Sequence, residues 1–348
     1  DNNKVFNIGF RTPPADDTGV PHIIEHTVLC GSKKYPPKDP FVELVKGSLN
    51  TFLNAITWPD KTMYPIASRN DKDFHNLMDV YLDAVFYPDC LKNPQILMQE
   101  GWHYELDNVD APLTYNGVVY NEMKGALSSP EAIMEDKAME ELFPDTTYGV
   151  ESGGDPEVIP TLSFREFSEF HRRFYHPSNS YIYLYGDMDI DETLKFIDQE
   201  YLSHFDARNV YSAVKTQSPL PKRKIVEAPF GISENESLEK KTIHALYIAL
   251  NDHITTEESL AFKILSYVLV DMDGAPLKKA VLDAGIGNDV SSAYGDSYKQ
   301  PVWTIEVTGS EIDKREKFIS TVDLVLRNLA LDGIDRNMLE AALNRTEF

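Results

Sequence analysis

Apolar residues recur along this chain in two rhythms, a strict alternation that marks strands and a three-and-four spacing that marks helices. Residues 5–10 read as a strand. The stretch 18–31 reads as one short helix, with Pro21 suited to its first turn and Gly31 to its stop. Residues 41–45 start a further short helix. Residues 48–57 and 62–66 read as two strands about a turn at Trp58-Pro59-Asp60-Lys61. Phe74, Leu77, Met78, Tyr81, Leu82 and Val85 form one apolar stripe and predict a helix over 71–86. A helix opens at Asn93-Pro94 and is expected to run through Glu105, and another follows Gly117 as far as Ala126. Residues 163–174 predict a helix, 180–186 a strand, and 191–205 a closing helix.

Helices and strands that alternate in this way pack as helices on one face of a sheet. Residues 216–224, polar and proline-containing, are the best linker candidate, which places a first domain at 1–215 and a second at 216–348. In the second, strands are expected at 224–228, 241–250, 289–294 and 301–308, and helices at 256–268, 276–284 and 314–331. This order loosely echoes the first domain. A length of 348 residues agrees with two domains.

Charge narrows the choice of partners. The 56 Asp and Glu against 33 Lys and Arg leave a net charge of −23, spread along the chain. That argues against nucleic acid as a partner and makes basic peptides electrostatically favoured, although solubility alone also accounts for it. No uncharged apolar run reaches the ~18 residues of a membrane span, so no membrane partner is expected. Two cysteines, Cys30 and Cys90, form no disulfide framework and suit a reducing compartment. The chain opens without Met and ends in a helical pattern without a cap, so it reads as a fragment. A cytoplasm of bacterial type is the expected compartment, or an organellar matrix if a transit peptide is missing.

The candidate chemistry lies in the first short helix, as His22, Glu25 and His26. Residues four apart share a helix face, so both imidazoles can reach one metal ion while Glu25 leans over the same spot. Neutral imidazole binds Zn2+ at about 2.0–2.1 Å, and a catalytic zinc keeps three protein ligands and one water. Glu25 is then the general base for that water and not a ligand. The plain alternative is a buried helix with two incidental histidines. Glu122, in the first turns of the helix after Gly117, is the candidate third ligand; Glu100 and His103 are a second source. Asn54 sits on a strand that could pair with an extended peptide, a turn-capping role being the alternative.

Several stretches together resemble the M16 metallopeptidases, and among them the presequence protease and falcilysin branch: residues 19–36 around the His22 motif, Asn54-Ala55, residues 117–125 around Glu122, Ser152-Gly153-Gly154-Asp155-Pro156 and Tyr175-His176-Pro177-Ser178-Asn179. The H-x-x-E-H order reverses the H-E-x-x-H of other zinc peptidases. The resemblance implies zinc ligands at His22, His26 and Glu122 and a catalytic glutamate at Glu25. It implies an α+β fold of two similar domains, each a mostly antiparallel sheet with helices packed on one face. It further implies a zinc endopeptidase of EC 3.4.24 type that hydrolyses short unfolded peptides, with Asn54 and Ala55 on the edge strand that binds substrate. The C-terminal half of the same parent chain would supply an arginine and a tyrosine to the transition state. This half alone would then be inactive or weakly active. The alternative is a non-catalytic member acting as a structural or peptide-binding subunit.

Overall fold

The computed structural model describes residues 2–36 and 46–347. The helix expected at residues 41–45 lies outside them. The chain forms two compact units, Asp1–Lys215 with Lys224–Ala228, and Thr216–Arg223 with Pro229–Phe348.

In the first unit, β1 (Lys4–Arg11), β2 (Asn50–Leu53), β3 (Ile56–Trp58), β4 (Lys61–Ser68) and β7 (Ser180–Tyr185) form an antiparallel sheet ordered β2-β4-β1-β7, with β3 also paired to β4. Alternation along β1 sends Phe6, Ile8 and Phe10 into the core, where they meet Tyr64 and Ile66 of β4. The helix α1 (Val20–Val28) adds Ile23, Ile24 and Val28 to this cluster, all fully buried. Each such side chain contributes roughly 1.5–3 kcal/mol on burial. That matters for α1, because a helix this short is not stable by itself in water. Its core face anchors it, and its register then places its polar residues.

The amphipathic stripe at 71–86 forms helix α2 (Asp71–Phe86), begun by Asn70, whose side chain accepts from the Asp73 N–H at 3.0 Å. Three short elements follow: α3 (Pro94–Glu100) and the hairpin strands β5 (His103–Glu105) and β6 (Thr114–Asn116). The helix expected to continue through Glu105 therefore stops at Glu100. Gly101 leaves the helical path at φ −85°, ψ −84°, and Trp102 turns to donate its Nε1–H to Leu162 O at 3.1 Å. Next come α4 (Val118–Ala126), α5 (Pro130–Leu142), α6 (Phe164–Phe174) and α7 (Ile190–Glu200). Helix α5 has no counterpart in the sequence reading: it is rich in acidic residues and buries only Met139, so it shows no apolar stripe.

The second unit has a three-stranded antiparallel sheet, β8 (Thr242–Ala249), β10 (Val302–Ser310) and β9 (Asp289–Gly295), in that spatial order. Helices α8 (Thr256–Ser266), α9 (Pro276–Asp283), α10 (Arg315–Asp332) and α11 (Arg336–Glu347) accompany it. Leu269, Val270, Leu277, Ile305, Val307, Phe318 and Val322 form its core. The strand expected at 224–228 is absent: these residues are exposed and make no ladder. Instead Lys224 Nζ reaches Glu141 Oε2 at 2.6 Å within the first unit. The preceding segment is tied to the second unit, where the Gln217 N–H donates to Gln300 Oε1 at 2.6 Å. Each unit thus has the mixed helix-and-sheet, antiparallel architecture expected. Among the described residues no helix is long and apolar enough to cross a membrane.

Candidate metal and active site

Helix α1 begins at Gly19, whose φ of 66° favours glycine. A Cβ there would also lie 2.6 Å from Gly153 O, so the turn before α1 and the Ser152-Gly153-Gly154 loop touch backbone to backbone. This contact brings the loop to His22, whose Nδ1 lies 3.1 Å from Gly153 O. A carbonyl can only accept, so Nδ1 carries the proton and Nε2 is left with a free lone pair.

Helix α4 supplies the third group. It starts at Gly117, at φ 155°, where a Cβ would lie 2.2 Å from Gly101 O. The end of α3 and the start of α4 are thereby pressed together, which sets Glu122 opposite α1. His22 Nε2 is 3.7 Å from Glu122 Oε1, and His26 Nε2 is 3.7 Å from Glu122 Oε2. The two imidazole rings stand nearly at right angles, with centroids 4.9 Å apart. Among the described residues, His22, His26 and Glu122 form the one group of three potential donors whose ligand atoms all lie within 4.8 Å of one another. Zinc with bonds of about 2.0–2.2 Å sets its ligands roughly 3.3–3.6 Å apart, so this donor set fits zinc in type, and the two 3.7 Å separations to Glu122 lie close to that range.

Glu25 is buried, and its Oε2 accepts a hydrogen bond from Thr57 Oγ1 of β3 at 2.6 Å. Helix α3 brings Glu100 behind His26, with Oε2 3.4 Å from His26 Nδ1. Burial pulls the His26 pKa down, but Glu100, Glu25 and Glu122 outweigh it and hold it above 6.5. Burial pushes Glu100 up, and its hydrogen bonds with His26 and Gln99 more than reverse this, leaving it below the ordinary glutamate value.

The other sequence candidates fall in different places. His103 is on β5 and turns its Nδ1 to Met98 O at 2.6 Å, away from this donor set, so the pair of Glu100 and His103 is not brought together as metal ligands. Asn54 and Ala55 lie between β2 and β3, opposite Pro65 and Tyr64 of β4 in a register that continues from Leu53 to Ile56. Asn54 N–H donates to Pro65 O at 3.2 Å, but proline has no N–H to return. Tyr81 fills that place, its hydroxyl donating to Asn54 O at 3.3 Å, and Asn54 Oδ1 accepts from the Ala55 N–H at 3.0 Å. The ladder is interrupted there although the chain remains extended. Cys30 does not join the donor group; its thiol donates to His26 O at 3.5 Å. Two groups at the site carried no functional expectation, Thr57 and the Gly153 carbonyl, and of these Gly153 had a sequence signal as part of a glycine pair. Glu100 was expected as a spare ligand beside His103, and the structure instead places it behind His26.

Residues 5–143 match the description "Insulinase (Peptidase family M16)", and residues 161–346 match "Peptidase M16 inactive domain". Over its whole length the chain is 53% identical to Protein HypA of Clostridium perfringens and covers 36% of that protein. It is 45% identical to presequence protease 1, chloroplastic/mitochondrial, of Arabidopsis thaliana, again along all of this chain and 32% of the relative. The chain spans about a third of the length of these curated relatives. Among solved structures, a peptidase M16 inactive domain from Pseudomonas fluorescens superposes with a TM-score of 0.73 at 14% identity, over 99% of this chain and 78% of that one. Two M16 descriptions that follow one another along a single chain, together with relatives among the presequence proteases, establish that this protein belongs to the M16, or insulinase, family of peptidases.

Proposed function

We propose that this chain carries the zinc-binding portion of a zinc-dependent endopeptidase that hydrolyses short unfolded peptides. The observation that supports this most is the convergence of His22 Nε2, His26 Nε2 and a Glu122 carboxylate oxygen on one point from two helices far apart in sequence. Bound there, zinc would lower the pKa of a water ligand to about 7 and polarise a substrate carbonyl. His22, His26 and Glu122 are the residues that would hold it.

Glu25 acts as the base. Its carboxylate takes the proton of the attacking water and passes it to the departing amine. Thr57 supports this role by donating to Oε2, which orients the carboxylate and leaves Oε1 to meet the water. The substrate backbone adds as a strand along the edge formed by β2, Asn54, Ala55 and β3. The rest of the parent chain is the partner that completes catalysis, so full activity belongs to the parent protein. A non-catalytic, peptide-binding role is the second reading; the M16 inactive domain matched over residues 161–346 is compatible with it.

The test is the metal content of the purified chain beside Glu122→Gln and His22→Ala after dialysis without chelator. The expected result is one zinc per chain, lost or much weakened in both variants. Zinc retained in full by Glu122→Gln would overturn the three-ligand site. In the parent protein, zinc retained with no hydrolysis of unfolded peptides would favour the non-catalytic reading.

A further inference from the structure

The two imidazoles offered to the metal are not held alike. Behind His22 stands a neutral backbone carbonyl, Gly153 O. Behind His26 stands a carboxylate, Glu100, at the C-terminal end of α3, with Oε2 3.4 Å from Nδ1. Glu100 is 8% exposed, and its Oε1 accepts from Gln99 Nε2 at 2.8 Å, so the group is buried and oriented. A buried carboxylate is costly to keep without a partner, and His26 is the cation-capable group facing its other oxygen.

We infer that Glu100 is a positioning residue of the metal centre. It accepts the Nδ1 proton of His26, which fixes the tautomer whose Nε2 lone pair points toward Glu122, and it makes that imidazole a stronger donor. Glu100 is not a spare ligand, since it meets the ring nitrogen opposite the one that faces Glu122. The consequence is a division of labour in which His26 is the electronically reinforced ligand and His22 the one held by backbone. This inference rests on the zinc reading above.

Three measurements on the purified chain test it: zinc affinity by competition with a chromophoric chelator, the His26 tautomer by ¹⁵N shifts of histidine-labelled metal-free protein at alkaline pH, and thermal unfolding as a control for the fold. The unmodified chain is expected to bind zinc and to hold His26 as the Nδ1–H tautomer. Glu100→Leu is expected to weaken zinc about 10- to 100-fold and to release the ring into a tautomer mixture. Glu100→Gln, close to isosteric, is expected to loosen both by less, and it carries the comparison if Glu100→Leu does not fold. Unchanged affinity in a folded Glu100 variant overturns the inference. So does weakened affinity with an unchanged His26 tautomer, because Glu100 would then act through the fold. If the unmodified chain binds no zinc, the metal reading itself fails, whatever the Glu100 variants do.

Discussion

Both units bury an apolar core against an antiparallel sheet, yet they treat histidine differently. In the second unit His244 is nearly buried, its Nε2 lies 3.0 Å from Glu311 O, and its ring stacks on Phe318 at 5.9 Å. One nitrogen is paired, and the ring fills space. In the first unit His22 and His26 are also largely enclosed, but each keeps an outer partner on Nδ1 and turns Nε2 to the same carboxylate. Burial does not separate a structural histidine from a candidate ligand. What separates them is whether the second nitrogen faces a shared acceptor, and that depends on another helix arriving opposite.

The largest expected effect is at Glu25. In the parent protein, Glu25→Gln is expected to lower peptide hydrolysis by about 10²–10⁴-fold with zinc content unchanged. Residual activity near that of the unmodified enzyme would remove Glu25 from the base role. Core truncation comes next. Ile23→Ala in α1 and Ile305→Ala in β10 should each cost about 2–5 kcal/mol by denaturant unfolding, since both side chains are fully buried. Only Ile23→Ala should also weaken zinc, because it loosens the helix that carries His22 and His26, two of the proposed ligands. Equal loss of zinc in both variants would mean the site does not depend on α1 packing in particular.

A fourth histidine adds a pH test. His171 of α6 is fully buried, its Nε2–H donates to Val85 O at 2.9 Å, and burial pushes its pKa down to about 4. Below 6.5 the unfolded chain binds a proton that the native imidazole does not accept until about pH 4. Stability is therefore lost as pH falls through that window, by about 3 kcal/mol for this group. Unfolding curves at pH 7 and 4.5 should differ less in His171→Phe than in the unmodified chain, and an identical difference would show that His171 is not the group responsible. The smallest expected effect is at Thr57. Thr57→Val removes one hydrogen bond to Glu25 and should slow hydrolysis about tenfold, near 1.4 kcal/mol, with zinc affinity unchanged. A loss of zinc instead would place Thr57 in support of the metal rather than of the base.

Where local signals were strong, the sequence anticipated the structure closely. The helix Asp71–Phe86 has the span its stripe predicts, and Ser163 begins α6 with a reciprocal cap to Glu166. Where the deciding contact was remote, it did not. The helix expected through Glu105 ends where Gly101 meets Gly117, a contact no local pattern records. Helix α5 lacked an apolar stripe, and residues 224–228 had strand-forming side chains but no neighbouring strand to pair with.

The same division holds at the site. The i, i+4 spacing of His22 and His26 and the placing of Glu25 beside them are properties of helix geometry, so they could be read from the chain alone. Glu122 was a candidate third ligand as the carboxylate in the first turns of its helix, but spacing alone hardly raised it above a solvated glutamate, and the family resemblance of its surrounding residues carried the choice. Its position opposite α1, the Gly153 carbonyl on His22, Glu100 on His26 and Thr57 on Glu25 all arise from segments distant in sequence. Short-range periodicity settles which side chains share one helix face. Which groups stand across from that face depends on how helices, strands and glycine contacts pack in three dimensions, and here that packing turns two histidines into a three-donor site.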